Sequence, residues 1–482
     1  MEFLRKHYKL VLWAIPLVSL VLHFHVFNLD LIGIHVWRQT ETQTVINNFY
    51  RDDMNILNPR FNDHAETNRL HRMEFPVMQW IFALFYKVFG THIVISRILS
   101  FIIGLCSVYG IFYFLQKVSG NKVTATLGAW CFNFSPVFYY YTLNPMPDNM
   151  ALCCAIWSLG FFYNYTSGGK LRQVIWSGIF LCLATMAKLP FIIYGSFIAT
   201  FLTVAFFKKS LPVKELLRVA FIYILCLMPA AAWYVAVIPG WVIGAVHGVF
   251  NQTLNHPDLF AVLTGTLISV LPELLINYAS VVFFVAGFYL LFRNKLYTKA
   301  GFIPFFTWGI VVISYFLYEM NIIDLVHDYY LFLFLPPIFL LVAYGAQYML
   351  GDPKVARYGA LLCLCALPLT AYLRADSRWD TRDPGFNSAY YKYKDELRSL
   401  TPPGALCVAG YDDSHYILLY YIDRKGWAFD KSWFDEQLLS FYISKGARYI
   451  FLDENIDDLP GIRSHLGEKI FDKETLRVYK LK

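Results

Sequence analysis

The chain has 482 residues, 57% of them hydrophobic and 18% aromatic, with 16% charged, a net charge of +7 and a mean hydropathy of +0.45. Soluble domains carry about 25% charged residues, so the composition excludes an ordinary soluble protein and indicates a chain that lives largely in lipid. The positive excess is dispersed in short clusters between apolar runs, which is the pattern of loops beside a membrane and not of a nucleic-acid-binding surface.

The N-terminus, MEFLRKHYKL followed by VLWAIPLVSLVLHFHVF, has the charge pattern of a signal sequence but no small-residue cleavage site, and is expected to be an uncleaved first span. A crossing helix needs about 20 apolar residues. On that measure eleven spans are expected, at 10–27, 92–116, 123–142, 148–166, 173–187, 189–207, 216–238, 276–292, 300–318, 329–350 and 356–373. Lys188-Leu189-Pro190 breaks the apolar run 173–207 into a helical hairpin with the lysine at its apex.

Lysine and arginine bias sets the expected orientation. With Arg5, Lys6 and Lys9 in the cytoplasm, the inner loops carry Lys117 and Lys122, Lys170 and Arg172, Lys208, Lys209, Lys214 and Arg218, then Arg293, Lys295 and Lys299, and finally Lys354 and Arg357. The outer loops 239–275 and 319–328 hold no lysine or arginine. If Phe75–Phe89 also crossed, this bias would reverse; the stretch is short as well, and is expected to be an interfacial or re-entrant helix on the outer face.

On this topology the loop that follows the first span, residues 28–74, faces outward. It nevertheless holds Arg38, Arg51, Arg60, Arg69 and Arg72 and no lysine, together with Glu41, Asp52, Asp53, Asp63, Glu66 and Glu74. The arginine fork matches phosphate oxygens in two-point contact, so an anionic ligand at the membrane surface would explain the cluster. Salt bridges with the loop's own acids are expected for two or three of the five. Trp37, Glu41, Val45 and Asn48 fall on one face of an expected interfacial helix over 40–50. Glu41 near a helix start is also an ordinary placement.

Further ionisable groups fall at outer helix ends and none near mid-span, unlike the usual transporter pattern. Asp148 in Asn144-Pro145-Met146-Pro147-Asp148 reads as a helix start or as a carboxylate on a site rim. Lys188 either snorkels to the interface or meets a phosphate. His327-Asp328-Tyr329-Tyr330 opens a late span as part of an aromatic belt or as a binding element. Eight of the nine cysteines lie in apolar runs without metal-ligand spacing and read as packing residues.

Residues 374–482 change composition and are expected to form a soluble α/β domain beside the membrane domain 1–373, whose first outer loop, 28–91, carries the interfacial helices. Strands are expected at 405–410, 426–429 and 447–453, and helices at 412–422 and 432–444. The domain lacks a G-x-G-x-x-G turn, so no nucleotide is assigned to it.

Several pieces, in order, resemble the GT-C glycosyltransferases that use polyprenyl-phosphate sugars, in particular the family 39 and aminoarabinose-transferase branch related to protein O-mannosyltransferases. They are WRQTET (37–42) after the first span, Glu74-Phe75-Pro76 before a short helix ending Phe89-Gly90, PMPD (145–148), AKLP (187–190) and HDYY (327–330). The resemblance implies a polytopic α-helical enzyme and maps the catalytic base to Glu41, with Asp148 as runner-up. Glu74 matches the glutamate of an E-K-P-like motif whose lysine is here Phe75, so that lysine's phosphate contact passes to Arg69, Arg72 or Lys188, with Arg38 a further donor-phosphate candidate. Trp37, Glu74, His327, Asp328, Tyr329 and Tyr330 would bind substrate. No cofactor is assigned with certainty; His64, His71 and Glu74 are candidate ligands for a divalent cation, without a recognised spacing.

The expected function is inverting transfer of a sugar from a polyprenyl (undecaprenyl) phosphate carrier to a hydroxyl of an envelope glycan, lipid or protein. It would take place on the periplasmic side of a bacterial inner membrane, with membrane lipids as further partners. A ligase or polymerase using a pyrophosphate-linked glycan and, further off, a lipid-linked-sugar transporter are the alternatives.

Overall fold

The computed structural model describes residues 2–64, 69–241, 259–351, 354–453 and 461–482; Glu66 and residues 242–258 of the expected outer loop 239–275 lie outside them. The chain forms two compact units. The first comprises Met1–Asn28, Met73–Met78 and Ser96–Ser377, the second Leu29–Arg72, Gln79–Ile95 and Arg378–Lys482.

In chain order the helices are α1 (Glu2–His23), α2 (Val36–Arg51), α3 (Val77–Phe89), α4 (Ile93–Ser119), α5 (Lys122–Asn133), α6 (Pro136–Tyr141), α7 (Pro147–Thr166), α8 (Arg172–Ala187), α9 (Gly195–Phe207) and α10 (Val213–Val237). They continue with α11 (Leu259–Gly265), α12 (Val281–Arg293), α13 (Ile303–Val326), α14 (Leu335–Gly351), α15 (Lys354–Asp376), α16 (Ser388–Lys392), α17 (Lys394–Ser399), α18 (Ile417–Tyr421) and α19 (Glu436–Ser444).

Among the described residues seven helices are long and apolar enough to cross a membrane, or eight if the bent pair Phe260–Ile276 and Tyr278–Arg293 counts as one. Eleven spans were expected from the apolar runs, and the difference lies in breaks and polar ends within them. The run 123–142 is two short helices, α5 and α6, parted at Phe134-Ser135 before Pro136. α8 has only 16 residues. α7 is long enough but opens on Asp148-Asn149 and closes on Tyr163-Asn164-Tyr165.

The packing of the first unit depends on two glycines. A Cβ on Gly345 would stand 1.8 Å from the Phe283 carbonyl oxygen, and one on Gly287 would stand 2.1 Å from that of Leu341. Helices α12 and α14 therefore touch backbone to backbone, a close approach that small residues allow within membranes. The 93° bend before α12 sits at Asn277, which has φ +75°. Its side chain answers the exposed polar groups there: Nδ2 donates to the Phe134 carbonyl at 3.0 Å, and Oδ1 accepts from Thr370 Oγ1 at 2.9 Å. Backbone freed inside lipid must find such partners.

The second unit is built from both ends of the chain. Strands β1 (Leu406–Gly410), β2 (Lys425–Phe429), β3 (Ala447–Leu452), β4 (Leu466–Lys473) and β5 (Leu476–Leu481) form one sheet in the order β2-β1-β3-β5-β4. β1 runs parallel to β2 and β3, while β5 is antiparallel to β3 and β4. The expected strands match β1 to β3 closely; the β4–β5 hairpin was not expected. The first loop closes the β2 edge: Gly426 N donates to Asn62 O at 3.1 Å and His64 N to Gly426 O at 2.6 Å. Leu31 and Val36 from that loop join Tyr390, Leu418 and Phe451 in one apolar core. α3 lies along α2, with Lys87 Nζ on the Tyr50 carbonyl at 2.6 Å and Trp80 Nε1 on that of Met54 at 2.8 Å. Its 13 residues extend about 20 Å, short of the ~30 Å hydrocarbon core.

Candidate active site

In the first unit the chain gathers Glu74, Asp148, Lys188 and the 327–330 segment around one ammonium. α8 stops at Ala187 because Pro190 cannot continue it, and Lys188 takes an extended conformation as its C-terminal cap. The Lys188 side chain is only 11% exposed. Its Nζ lies 3.0 Å from Glu74 Oε1 and 3.8 Å from Asp148 Oδ1. It also stands over the rings of Tyr330 and Tyr329, 4.9 and 5.7 Å from their centroids. A desolvated cation gains up to about 2 kcal/mol from such a face.

Each member of the cluster is held in turn. Phe75 N donates to Met186 O at 3.0 Å, Trp233 Nε1 to Met73 O at 3.0 Å, and the Phe75 and Trp233 rings meet edge to face at 5.0 Å. These contacts pin Glu74 against the ends of α8 and α10. Asp148 occupies the first turn of α7, where the helix dipole favours an anion. The preceding turn is locked by Asn149 Nδ2 donating to the carbonyls of Tyr141 and Asn144 at 2.7 and 2.9 Å, and by fully buried Arg97 reaching Asn144 Oδ1 at 3.1 Å. Asp328 accepts a short hydrogen bond from Tyr141 Oη. Tyr330 stacks on Tyr315 of α13, and His327 packs edge-on against Tyr329 and Tyr330. Glu319 of α13 lies within electrostatic reach of Lys188. One cation thus stands among several carboxylates at helix ends, with aromatic walls, and an incoming phosphate would exchange with a carboxylate for it.

Trp37, Arg38, Glu41, Arg69 and Arg72 belong to the second unit. α2 runs from 36 to 51, and its polar side chains are mostly buried, Thr40, Glu41, Thr42, Gln43 and Thr44 among them. Arg38 and Glu41, one turn apart and each with a side chain 8% exposed, form a short ion pair. Trp37 packs against the apolar core beneath the sheet. Burial, and then the Glu41 charge, push the Tyr416 phenol well above its ordinary pKa.

Arg69 and Arg72 brace the loop. Arg69 Nη2 meets Asp52 Oδ2 at 3.0 Å and its Nε donates to Phe61 O at 2.7 Å. Arg72 Nε donates to Leu57 O at 2.9 Å. Among the described residues Arg38 and Arg69 pair with the loop's own acids, and Arg51 pairs with Asp423 at 2.6 Å. Among the described residues no three His, Cys, Asp or Glu side chains group as metal ligands. His71 lies over Phe61 and His64 against Trp427.

Tyr141 and Tyr315 were not singled out from the sequence. The run Tyr139-Tyr140-Tyr141 in an otherwise apolar stretch was the available signal for the first; nothing marked the second.

Residues 72–233, which include Glu74, Asp148 and Lys188, match the family described as dolichyl-phosphate-mannose-protein mannosyltransferase. No curated protein matches the chain by sequence. Among solved structures it is similar to ArnT from Cupriavidus metallidurans in the apo state, at 11% identity over 98% of each chain with a TM-score of 0.70. The same protein bound to undecaprenyl phosphate gives 12% identity over 98% of each chain and a TM-score of 0.67. The Archaeoglobus fulgidus oligosaccharyltransferase in complex with Zn and sulfate is similar at 15% identity over 95% of this chain and 71% of that one, with a TM-score of 0.62. Residues 72–233 are thus similar to that mannosyltransferase family, and the chain as a whole shares the polytopic helical GT-C fold of these structures.

Proposed function

We propose that the chain is an inverting glycosyltransferase that moves a sugar from a polyprenyl-phosphate carrier to a hydroxyl acceptor on the extracytoplasmic side of a bacterial inner membrane. The observation that carries this reading is the buried Lys188 ammonium, held by Glu74, Asp148 and two tyrosine faces at the turn of an apolar helical hairpin. A cation at the rim of lipid-facing helices suits the phosphate of a lipid whose tail lies between them. The ArnT structure bound to undecaprenyl phosphate is a precedent for such a ligand on this fold.

In the proposed reaction the acceptor hydroxyl oxygen attacks the anomeric carbon and the carbon–oxygen bond to phosphate breaks in the same displacement. The hydroxyl proton passes to a carboxylate, and the electron pair leaves with the phosphate. Lys188 offsets the charge that grows on that phosphate, the step at which fixed cations lower a barrier most. Glu41, whose carboxylate is held by Arg38 one turn away, is the proposed base. Asp148 is the second candidate. Tyr329, Tyr330 and His327 would shape the sugar or acceptor pocket.

The test is transfer by purified enzyme from a labelled polyprenyl-phosphate sugar, with product masses read by mass spectrometry. Glu41→Gln should lower turnover by about 10²–10⁴-fold while donor binding persists. Near-normal turnover would remove Glu41 from the role and direct the same experiment to Asp148→Asn. Products heavier by a whole glycan would instead favour the ligase or polymerase reading.

A further inference from the structure

Away from the Lys188 cluster the first unit carries a cavity of about 540 Å³, within the size range of small-ligand sites. It is lined by the ends of three helices that also build the Lys188 cluster. α7 begins at Asp148 and reaches the cavity with Tyr165 and Thr166; α9 follows the Lys188 turn and reaches it with Phe201 and Ala205. α13 starts at the cavity, with Pro304, and ends at the 327–330 segment. The helical stretches Leu189–Phe207, which follows Lys188, and Ala300–Met320, which takes in most of α13, both reach the cavity and are each long and apolar enough to cross a membrane. The cluster and the cavity therefore lie near opposite membrane faces.

Most of the cavity's polar groups are already satisfied. Tyr165 Oη donates to Glu215 Oε1 at 2.9 Å, Thr166 Oγ1 to Tyr163 O at 2.8 Å and Ser210 Oγ to Ala205 O at 2.9 Å. Gly169 N donates to Asn164 O at 3.1 Å. What remains is an apolar wall, Phe201, Leu202, Val204 and Leu211, and one ammonium at the lip, Lys208, which enters no ion pair among the described residues. Lys209 stands beside it, exposed. A neutral apolar ligand would leave that charge unanswered, and a soluble anion would leave the wall unanswered. An amphiphile with one negative charge answers both.

We propose that this cavity binds an anionic glycerophospholipid from the leaflet opposite the Lys188 cluster, its phosphate on Lys208 and an acyl chain along α9 and α13. The inference does not depend on the reaction proposed above.

The test uses the full chain purified in detergent, exposed to an equimolar mixture of phosphatidylglycerol and phosphatidylcholine with identical acyl chains, and examined by native mass spectrometry. The wild type should retain phosphatidylglycerol at least several-fold over phosphatidylcholine. Lys208→Ala, an exposed position tolerant of change, should bring the ratio to about one. Ala205→Trp, which fills the cavity, should lower retention of both lipids; Leu202→Phe is the milder filling variant if the first does not fold. Equal retention of the two lipids by the wild type overturns the proposal. So does an unchanged preference in Lys208→Ala, or displacement of the lipid by millimolar inorganic phosphate, which would make the site one for a free anion.

Discussion

Replacing Lys188 by methionine tests the cluster directly. The substitution keeps most of the stem's volume and removes the charge. It leaves Glu74 and Asp148, with side chains 13% and 2% exposed, facing each other without the ammonium between them. Breaking a buried ion pair by removing one partner costs about 3–5 kcal/mol. The lost contact with the Tyr329 and Tyr330 faces falls within that figure, because the interactions share one group and are not additive. If the penalty is electrostatic, neutralising a carboxylate should return part of it. Adding Glu74→Gln to Lys188→Met should recover about 0.5–3 kcal/mol, the usual coupling between contacting residues. The assay is a denaturation titration in mixed micelles, followed by tryptophan fluorescence, on the wild type, both single variants and the double variant. The expected order of stability places the double variant above Lys188→Met. A Lys188→Met protein within about 0.5 kcal/mol of wild type, or a double variant less stable than either single one, would refute the account.

Three other outcomes follow from the same structure. His415 Nδ1 lies 3.0 Å from Asp63 Oδ2, and that hydrogen bond outweighs burial and holds the imidazole pKa above its ordinary value, with Asp412 and Asp430 adding to the effect. A raised histidine pKa stabilises the fold fully below about pH 6.5 and loses the contribution as pH rises through the folded value. The gap in thermal midpoint between wild type and Asp63→Asn should therefore narrow from pH 6 to pH 9; a constant gap would count against the pair. Gly345→Ala should destabilise by about 1–3 kcal/mol or more, since its Cβ meets the Phe283 carbonyl oxygen, while Gly309→Ala, with open space around its Cβ, should change stability little. Measured equality of the two would deny the close approach of α12 and α14. Gly426→Ala combines φ +151° with a Cβ 1.8 Å from the Cys407 carbonyl oxygen, and should loosen the β1–β2 pairing, seen as faster amide exchange across 406–410; unchanged exchange would contradict it.

Much of this arrangement was legible from local signals. Proline after Lys188 marked the hairpin apex, and Pro147 marked the start of α7, because proline's missing N–H acts within a few residues. The expected helix over 40–50 lies within α2 and misses only its first turn and last residue, and three strands of the sheet stood out as short apolar runs. Other features depend on partners far along the chain. Arg51 pairs with Asp423 and Asp52 with Lys425, so the arginines' partners could not be read within the loop alone. β4 reads LGEKIFDK, with charged and apolar residues in adjacent pairs and register shifts against β5, so no period-2 pattern marked the β4–β5 hairpin. Run length and helix length part company where an apolar run holds a break, as at Ser135-Pro136, since hydropathy averages over the residue that turns the chain.

The edge closure by Asn62–His64 also constrains how the polypeptide is threaded. Residues 62–64 hydrogen-bond to Gly426, and Asp30, Asp52 and Asp63 each hold a side chain beyond position 390. Segments joined in this way must share one aqueous compartment. The stretch from Ser96 to Ser377 must then traverse the bilayer an even number of times, whatever its individual helices do. The sheet cannot be sealed until the ribosome has released its last strands, so α2, with its buried polar side chains, emerges hundreds of residues before the surface that will cover it.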